Sequence, residues 1–228
     1  MSAPRVAICV PYYKHVEGPT AMKFMALGFR SAAHIAAVPI STNGCYVEDN
    51  RNGCVEFALE LDKQIHFDWL MWIDTDGIFP DDAIMRLIAH DKDIVGANYR
   101  QRHPPYGFAG QYADGSDKHL LEPGLHPMKW MPTGLLLTRF DIYRKLSYPW
   151  FRPGLRNEPR DDVYFCYKAA SEGYEIWCDH DLTFETIHLT EQQIPWFKPE
   201  QLRPIEVEGA SINNKAAREA GQKRAQDT

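Results

Sequence analysis

What the sequence lacks narrows the possibilities before any motif is read. No apolar run approaches the roughly 20 residues a membrane helix needs. Apolar runs such as Trp69-Leu70-Met71-Trp72-Ile73 and Leu135-Leu136-Leu137 are strand-sized, so no transmembrane segment is expected. No positively charged leader with an apolar centre precedes the first strand-like segment, so a secretion signal is not expected and the cytoplasm is. Cysteine is scarce and odd in number. Cys9, Cys45, Cys54, Cys166 and Cys178 form no CxxC pair, which argues against a disulfide framework or a Cys-rich zinc site and for reduced thiols. Positive charge is not in excess either: a net charge of −6 disfavours broad nucleic-acid binding and leaves room only for a local basic patch. There is no internal repeat or low-complexity block.

What is present suits one α/β domain. Strand-like segments are expected at residues 5–10, 38–41, 67–73, 94–97, 174–178 and 182–189, with one more after the turn Pro132-Thr133-Gly134. Helical spacing marks residues 19–33, 50–64, 79–90, 140–146 and 161–172, the last stopped by Gly173. Asp49 or Asn50 is expected to cap the second helix. Residues 67–73 carry apolar side chains on both faces, as a central strand covered by helices would. Strands alternating with helices over the first 100 residues predict a mostly parallel, Rossmann-like sheet. A ligand is then expected at the carboxyl ends of its strands. Residues 100–129 are rich in Pro, Gly, His and Asp and keep no period. They read as an irregular insertion with at most a short hairpin, on the acceptor side together with residues 150–159. The domain is expected to span residues 1–195. Residues 196–228 read as an extension, partly exposed or disordered, whose polar end has little to bury.

The sharpest local feature is Asp74-Thr75-Asp76-Gly77, directly after the most apolar strand. Hard divalent cations prefer oxygen ligands, and Mg²⁺ typically takes one or two carboxylates plus substrate phosphates. Two acids at a strand end, followed by a Phe79-Pro80-Asp81-Asp82 helix start, fit that use better than a solvated turn. Gly77 is expected to let the backbone turn sharply.

Several segments, in order, resemble the family-2-like glycosyltransferases of the GT-A fold. They are Val6-Ala7-Ile8-Cys9-Val10-Pro11, Asn50-Arg51-Asn52, Ile73-Asp74-Thr75-Asp76 with Phe79-Pro80, Met131-Pro132-Thr133-Gly134, and Arg160-Asp161-Asp162-Val163-Tyr164-Phe165. The resemblance covers about residues 4–190. It implies a metal-dependent transferase that moves a sugar from a UDP- or GDP-sugar to a hydroxyl of a glycan, protein or small molecule, with inversion, or with retention if Asp162 only orients the acceptor. It also implies Mn²⁺ or Mg²⁺ held by Asp74, Asp76 and His188, with His180 a weaker rival to His188. Asp162 is implied as the base that deprotonates the acceptor, with Asp161 before it where the family usually has Glu. Gly134 is implied on the acceptor side of the nucleotide-sugar site, and Thr75 on the donor side.

Other residues fit the same site by their chemistry. Pro11 ends the first strand, and Tyr12 and Tyr13 after it offer rings to a nucleobase, or are ordinary tyrosines. Arg51 has a planar fork suited to a phosphate or a base, or lies on a helix surface. Arg100, Arg102 and His103 are candidates for a lid over the diphosphate, or for a solvated loop. Two rival readings share the fold. A sugar-1-phosphate nucleotidyltransferase would need a Gly-rich phosphate loop after the first strand, and Pro11-Tyr12-Tyr13-Lys14-His15-Val16 has none. A non-catalytic nucleotide-sugar- or carbohydrate-binding module would keep the cleft without turnover.

Overall fold

The computed structural model describes residues 3–101, 107–116, 122–154, 158–159 and 161–189, all within one compact unit, Met1–Trp196. The expected extension at 196–228 lies outside the described residues, as do Arg102 and His103. The elements in chain order are β1 (Arg5–Tyr12), α1 (Gly18–Ser31), β2 (Ala36–Asn43), α2 (Val47–Ile65), β3 (Trp69–Ile73), β4 (Gly77–Ile78), α3 (Ala83–Ala89) and β5 (Ile94–Gly96). They continue with β6 (Gln111–Tyr112), β7 (Leu125–Trp130), β8 (Leu135–Arg139), α4 (Asp141–Lys145), α5 (Asp161–Ser171), β9 (Ile176–Asp179), α6 (His180–Glu185) and β10 (Ile187–His188).

One eight-stranded sheet runs in the order β2-β1-β3-β8-β5-β9-β7-β6. From the pairings, only β8 and β7 run against the other strands, so the sheet is mostly parallel, as the helix–strand alternation implies. All five residues of β3 are buried, because the strand is central and helices cover both its faces. Ala7, Cys9, Leu70 and Trp72 face one core with α2, α4 and α5. Val6, Trp69, Met71 and Ile73 face a second core with α1 and α3. Trp72 takes a polar partner there, its Nε1 donating to the Tyr143 hydroxyl at 2.8 Å. Gly173, at φ +90°, ends α5 in the left-handed conformation the sequence predicts.

Four local expectations are corrected. Residues 182–189 are not one strand: α6 occupies their first half, capped by the Asp179 side chain on the Leu182 amide, and only Ile187–His188 pair, with β4. The apolar spacing of Leu182 and Phe184 fits either period over so short a stretch. The insertion at 100–129 contains β7, a strand of the main sheet. Pro127 and His126 hide it from the alternation rule, and Pro127 accepts from Ala113 N through its carbonyl. The second helix starts earlier than expected, at Val47, with no side-chain cap; Glu48 and Asp49 in its first turn complement the dipole instead. Gly77 is not in the left-handed region and lies in β4, so the turn after β3 is made by Asp74-Thr75-Asp76 without it.

Candidate active site

The carboxyl ends of β1, β2 and β3 and the head of α2 frame a cleft of about 210 Å³. Its lining includes Pro11, Tyr12, Tyr13, Arg51, Asp74, Thr75 and Asp76. The turn carrying the two acids is pinned from several directions. The Asp74 amide donates to Gly134 O at 3.0 Å, Glu17 N donates to Thr75 O at 3.1 Å, and Leu189 N donates to Asp76 O at 2.7 Å. Thr20 Oγ1 donates to Gly77 O at 3.0 Å. The sequence-predicted donor-side residues are therefore together, although Tyr13 is 58% exposed and reaches outward at the rim.

Arg51 does more than the fork-on-phosphate role suggested. It is 4% exposed, and its Nη2 donates to Asp74 Oδ1 at 3.3 Å while its Nη1 donates to Asp161 Oδ2. One guanidinium thus joins the acids after β3 to the acids at the head of α5. Burial pulls its pKa down, but the charges of Asp161, Asp74 and Asp162 outweigh burial and raise it. Its Nε and Asp161 Oδ1 are buried without partners among the described residues. Asp161 sits at φ +51°, a left-handed conformation that costs a non-glycine residue about 1 kcal/mol or more. It is held there by Arg51 and by its own amide, which donates to Arg152 O at 2.7 Å. Asp162 Oδ1 accepts from the Val163 amide at 2.8 Å. Burial raises the Asp162 pKa to about 6; Arg51 opposes the rise and Asp161 and Asp74 add to it.

His188 and Asp76 also meet. β10 pairs His188 with Gly77, which brings His188 Nε2 to 3.6 Å from Asp76 Oδ2. Its Nδ1 donates to Arg100 O at 2.9 Å, which fixes the tautomer and makes Nε2 the lone-pair nitrogen. An oxygen-rich set with one such imidazole suits a divalent cation, so these residues fit one. No three His, Cys, Asp or Glu side chains among the described residues form a ready-made cluster, and Asp74 Oδ1 accepts from Arg51. The rival His180 is committed elsewhere: Nδ1 donates to Glu122 O at 2.6 Å and Nε2 accepts from the Tyr112 hydroxyl at 3.1 Å.

Sequence reasoning missed Tyr99. It follows β5 at the same sheet edge, and its ring lies 4.7 Å from that of His188. A Cβ on Gly134 would fall 2.5 Å from Tyr99 Cε1, so the glycine in the Pro132-Thr133-Gly134 turn is there to seat this ring. Burial, then the charges of Asp74 and Asp162, push the phenol pKa well up and keep it neutral. The one signal for it was position: two residues past the apolar run of β5. Asn50 and Asn52 were quoted only as flanks of Arg51. Asn50 Nδ2 donates to Tyr12 O and Gly44 O, and Asn52 holds the backbone at Trp150 and Phe151.

The sheet and its cleft define a GT-A-like α/β fold, and comparison with solved structures agrees. The chain is similar to A197 from STIV, with a TM-score of 0.60 and 17% identity, over 86% of this chain and 91% of that one. It is also similar to the catalytic domain of Drosophila β1,4-galactosyltransferase 7, crystallised with xylobiose. That match has a TM-score of 0.50 and 16% identity, over 81% of this chain and 69% of that one. No protein-family model matches the sequence, and no curated protein matches it. No helix among the described residues is long and apolar enough to cross a membrane.

Proposed function

We propose that the chain is an inverting glycosyltransferase that moves a sugar from a UDP- or GDP-sugar to a hydroxyl of a glycan, protein or small-molecule acceptor. The observation that carries this reading is the shared guanidinium: Arg51, which lines the cleft with Asp74, contacts both Asp74 and Asp161 and so ties the acid at the head of α5 to the acids after β3. Asp76, His188 and Asp74 would hold Mn²⁺ or Mg²⁺ beside the donor's diphosphate. Bound there, the cation supplies Lewis-acid stabilisation of charge on the leaving group.

The chain's own residues do the rest. Asp162 takes the proton from the acceptor hydroxyl. With its pKa lifted to about 6 by burial, it is a stronger base than an ordinary carboxylate and still ionised near neutral pH. The deprotonated oxygen displaces the nucleoside diphosphate directly, which inverts the anomeric carbon. Asp161 and Arg51 set the position of Asp162 at the head of α5. Pro11, Tyr12 and Tyr13 line the donor end, where a ring can stack on the base, and Thr75 lies between the two acids. Gly134 keeps Tyr99 in place behind the acids. The five free cysteines are compatible with a reducing compartment, and the cytoplasm is retained as the proposed location.

A thermal-shift panel of UDP- and GDP-sugars with and without Mn²⁺, run beside a nucleotide-release assay, tests the reading. Stabilisation that needs both ligands is expected, since binding to the native state adds to its stability. Asp76→Ala should lose the metal-dependent part, and a full shift in that variant would sink the site. Binding without nucleotide release in the presence of acceptor hydroxyls would favour a non-catalytic module.

A further inference from the structure

The transfer reading leaves unused a cavity on the α1–α3 face of the sheet. A crevice of about 500 Å³ opens between α1 and the β1–β2 edge, on the α1–α3 face of the sheet. Its floor is apolar, formed by Ile8, Val10, Phe24, Leu27 and Ile73 among others. Its rim is made of small residues at exposed positions: Gly28 and Ala32 on and after α1, Ala37 and Pro39 on β2. A Cβ added at Gly28 would meet nothing within 4 Å. None of its lining residues is ionisable. One polar side chain lines it. Ser31 is 3% exposed, and its Oγ has no hydrogen-bond partner among the described residues. Met22, Met25 and Phe29 form an apolar stripe on a neighbouring face of the same helix, with Phe29 80% exposed.

We propose that this crevice binds an aliphatic chain bearing one hydrogen-bonding oxygen, such as a long-chain alcohol, with Ser31 Oγ as its polar contact. The volume falls in the range of small-molecule sites, about 300–1,000 Å³. A peptide is a poor occupant, because each residue brings an N–H and a C=O that need partners and the crevice offers a single hydroxyl. A charged headgroup is equally poor inside, for want of any opposite charge. The Met22, Met25 and Phe29 stripe gives an apolar approach to the mouth. The chain can come from a free amphiphile or from a bilayer lipid, which share this chemistry.

The test titrates 1-decanol into the full chain and follows the melting midpoint. A saturable upward shift is expected. Gly28→Leu replaces a rim glycine of the helix, where a Cβ meets nothing within 4 Å, with a bulky side chain at the crevice mouth, so it should melt at or above wild type and lose the decanol shift. Ala32→Leu, at the rim, serves as a second filler. Ser31→Ala should weaken decanol about fivefold, the worth of one neutral hydrogen bond. Co-sedimentation with phosphatidylcholine vesicles separates the sources: wild type pelleting while Gly28→Leu stays in solution assigns a bilayer lipid, and decanol binding without pelleting assigns a free amphiphile. No saturable shift in wild type, or wild-type decanol binding by both filled variants, would overturn the site. Wild-type affinity in Ser31→Ala would overturn the polar contact. The proposal is independent of the transfer chemistry, and Asp76→Ala should bind decanol as wild type does.

Discussion

Two arginine–aspartate contacts reach α2, and they are opposites in how completely they are satisfied. Arg144 grips Asp62 with two hydrogen bonds, Nε to Oδ2 at 2.8 Å and Nη2 to Oδ1 at 2.7 Å. Asp62 also accepts from the Phe67 amide at 2.7 Å, and Arg144 donates on to Phe67 O at 2.9 Å. Around three helical turns away, Arg51 divides itself between two carboxylates, leaves its Nε and an oxygen of Asp161 without partners, and holds Asp161 in a left-handed conformation. The first pair closes the end of α2. The second borders a cavity. Similar chemistry is well satisfied at the end of α2 and leaves buried capacity unused under a strained backbone at Arg51.

The comparison can be broken most directly at Arg51. Arg51→Ala strands partly buried carboxylates on both sides, and chemical denaturation should show a loss of about 3 kcal/mol together with loss of the proposed sugar transfer. A stability change below about 1 kcal/mol would mean that the two contacts are alike after all. Next comes Gly134→Ala, which drives a methyl into the Tyr99 ring. Repacking should cost about 1–3 kcal/mol, and kcat should fall as Tyr99 moves against His188. Arg144→Ala should cost less, about 1–2 kcal/mol, because its side chain is partly solvated, and should leave kcat/KM per folded molecule unchanged. A fall in kcat/KM there would erase the distinction between a structural and a working pair.

A last effect is confined to acid. Burial lowers the His180 pKa from 6.5 to about 4, so the unfolded chain takes up that proton first. Its contribution to stability is complete above pH 6.5 and declines as the pH falls from 6.5 toward 4. Urea midpoints across that range should flatten in His180→Gln.

Much of this was legible in the sequence because long elements carry many votes. β3 declares itself by five consecutive large apolar residues, and α5 by its acids at the head and Gly173 at the tail. The Asp74, Thr75 and Asp76 turn is readable because a buried strand running into acids has few other uses. What was hidden involves pairing between distant segments. β7 is a strand because β9 and β6 lie beside it, not because Leu125-His126-Pro127 favours one. β4 and β10 are two residues each, too short for any period. Arg51 could be placed near a phosphate from its motif. That Asp161, 110 residues later, folds back onto it is a fact of tertiary structure. Tyr99 was silent because a lone tyrosine after a strand carries no pattern.

The turn Asn50-Arg51-Asn52 has a consequence for how this chain can change over evolution. Three consecutive side chains fan out by about 100° each and fasten the ends of β1 and β2, the two acid-bearing segments, and the Trp150–Phe151 backbone. Replacing one of them releases one spoke. Inserting a single residue between Asn52 and Val55 would rotate the whole hub by about 100° against the buried face of α2 and misdirect every spoke at once. Lineages of this protein should therefore hold the spacing of that stretch as firmly as they hold Arg51 itself.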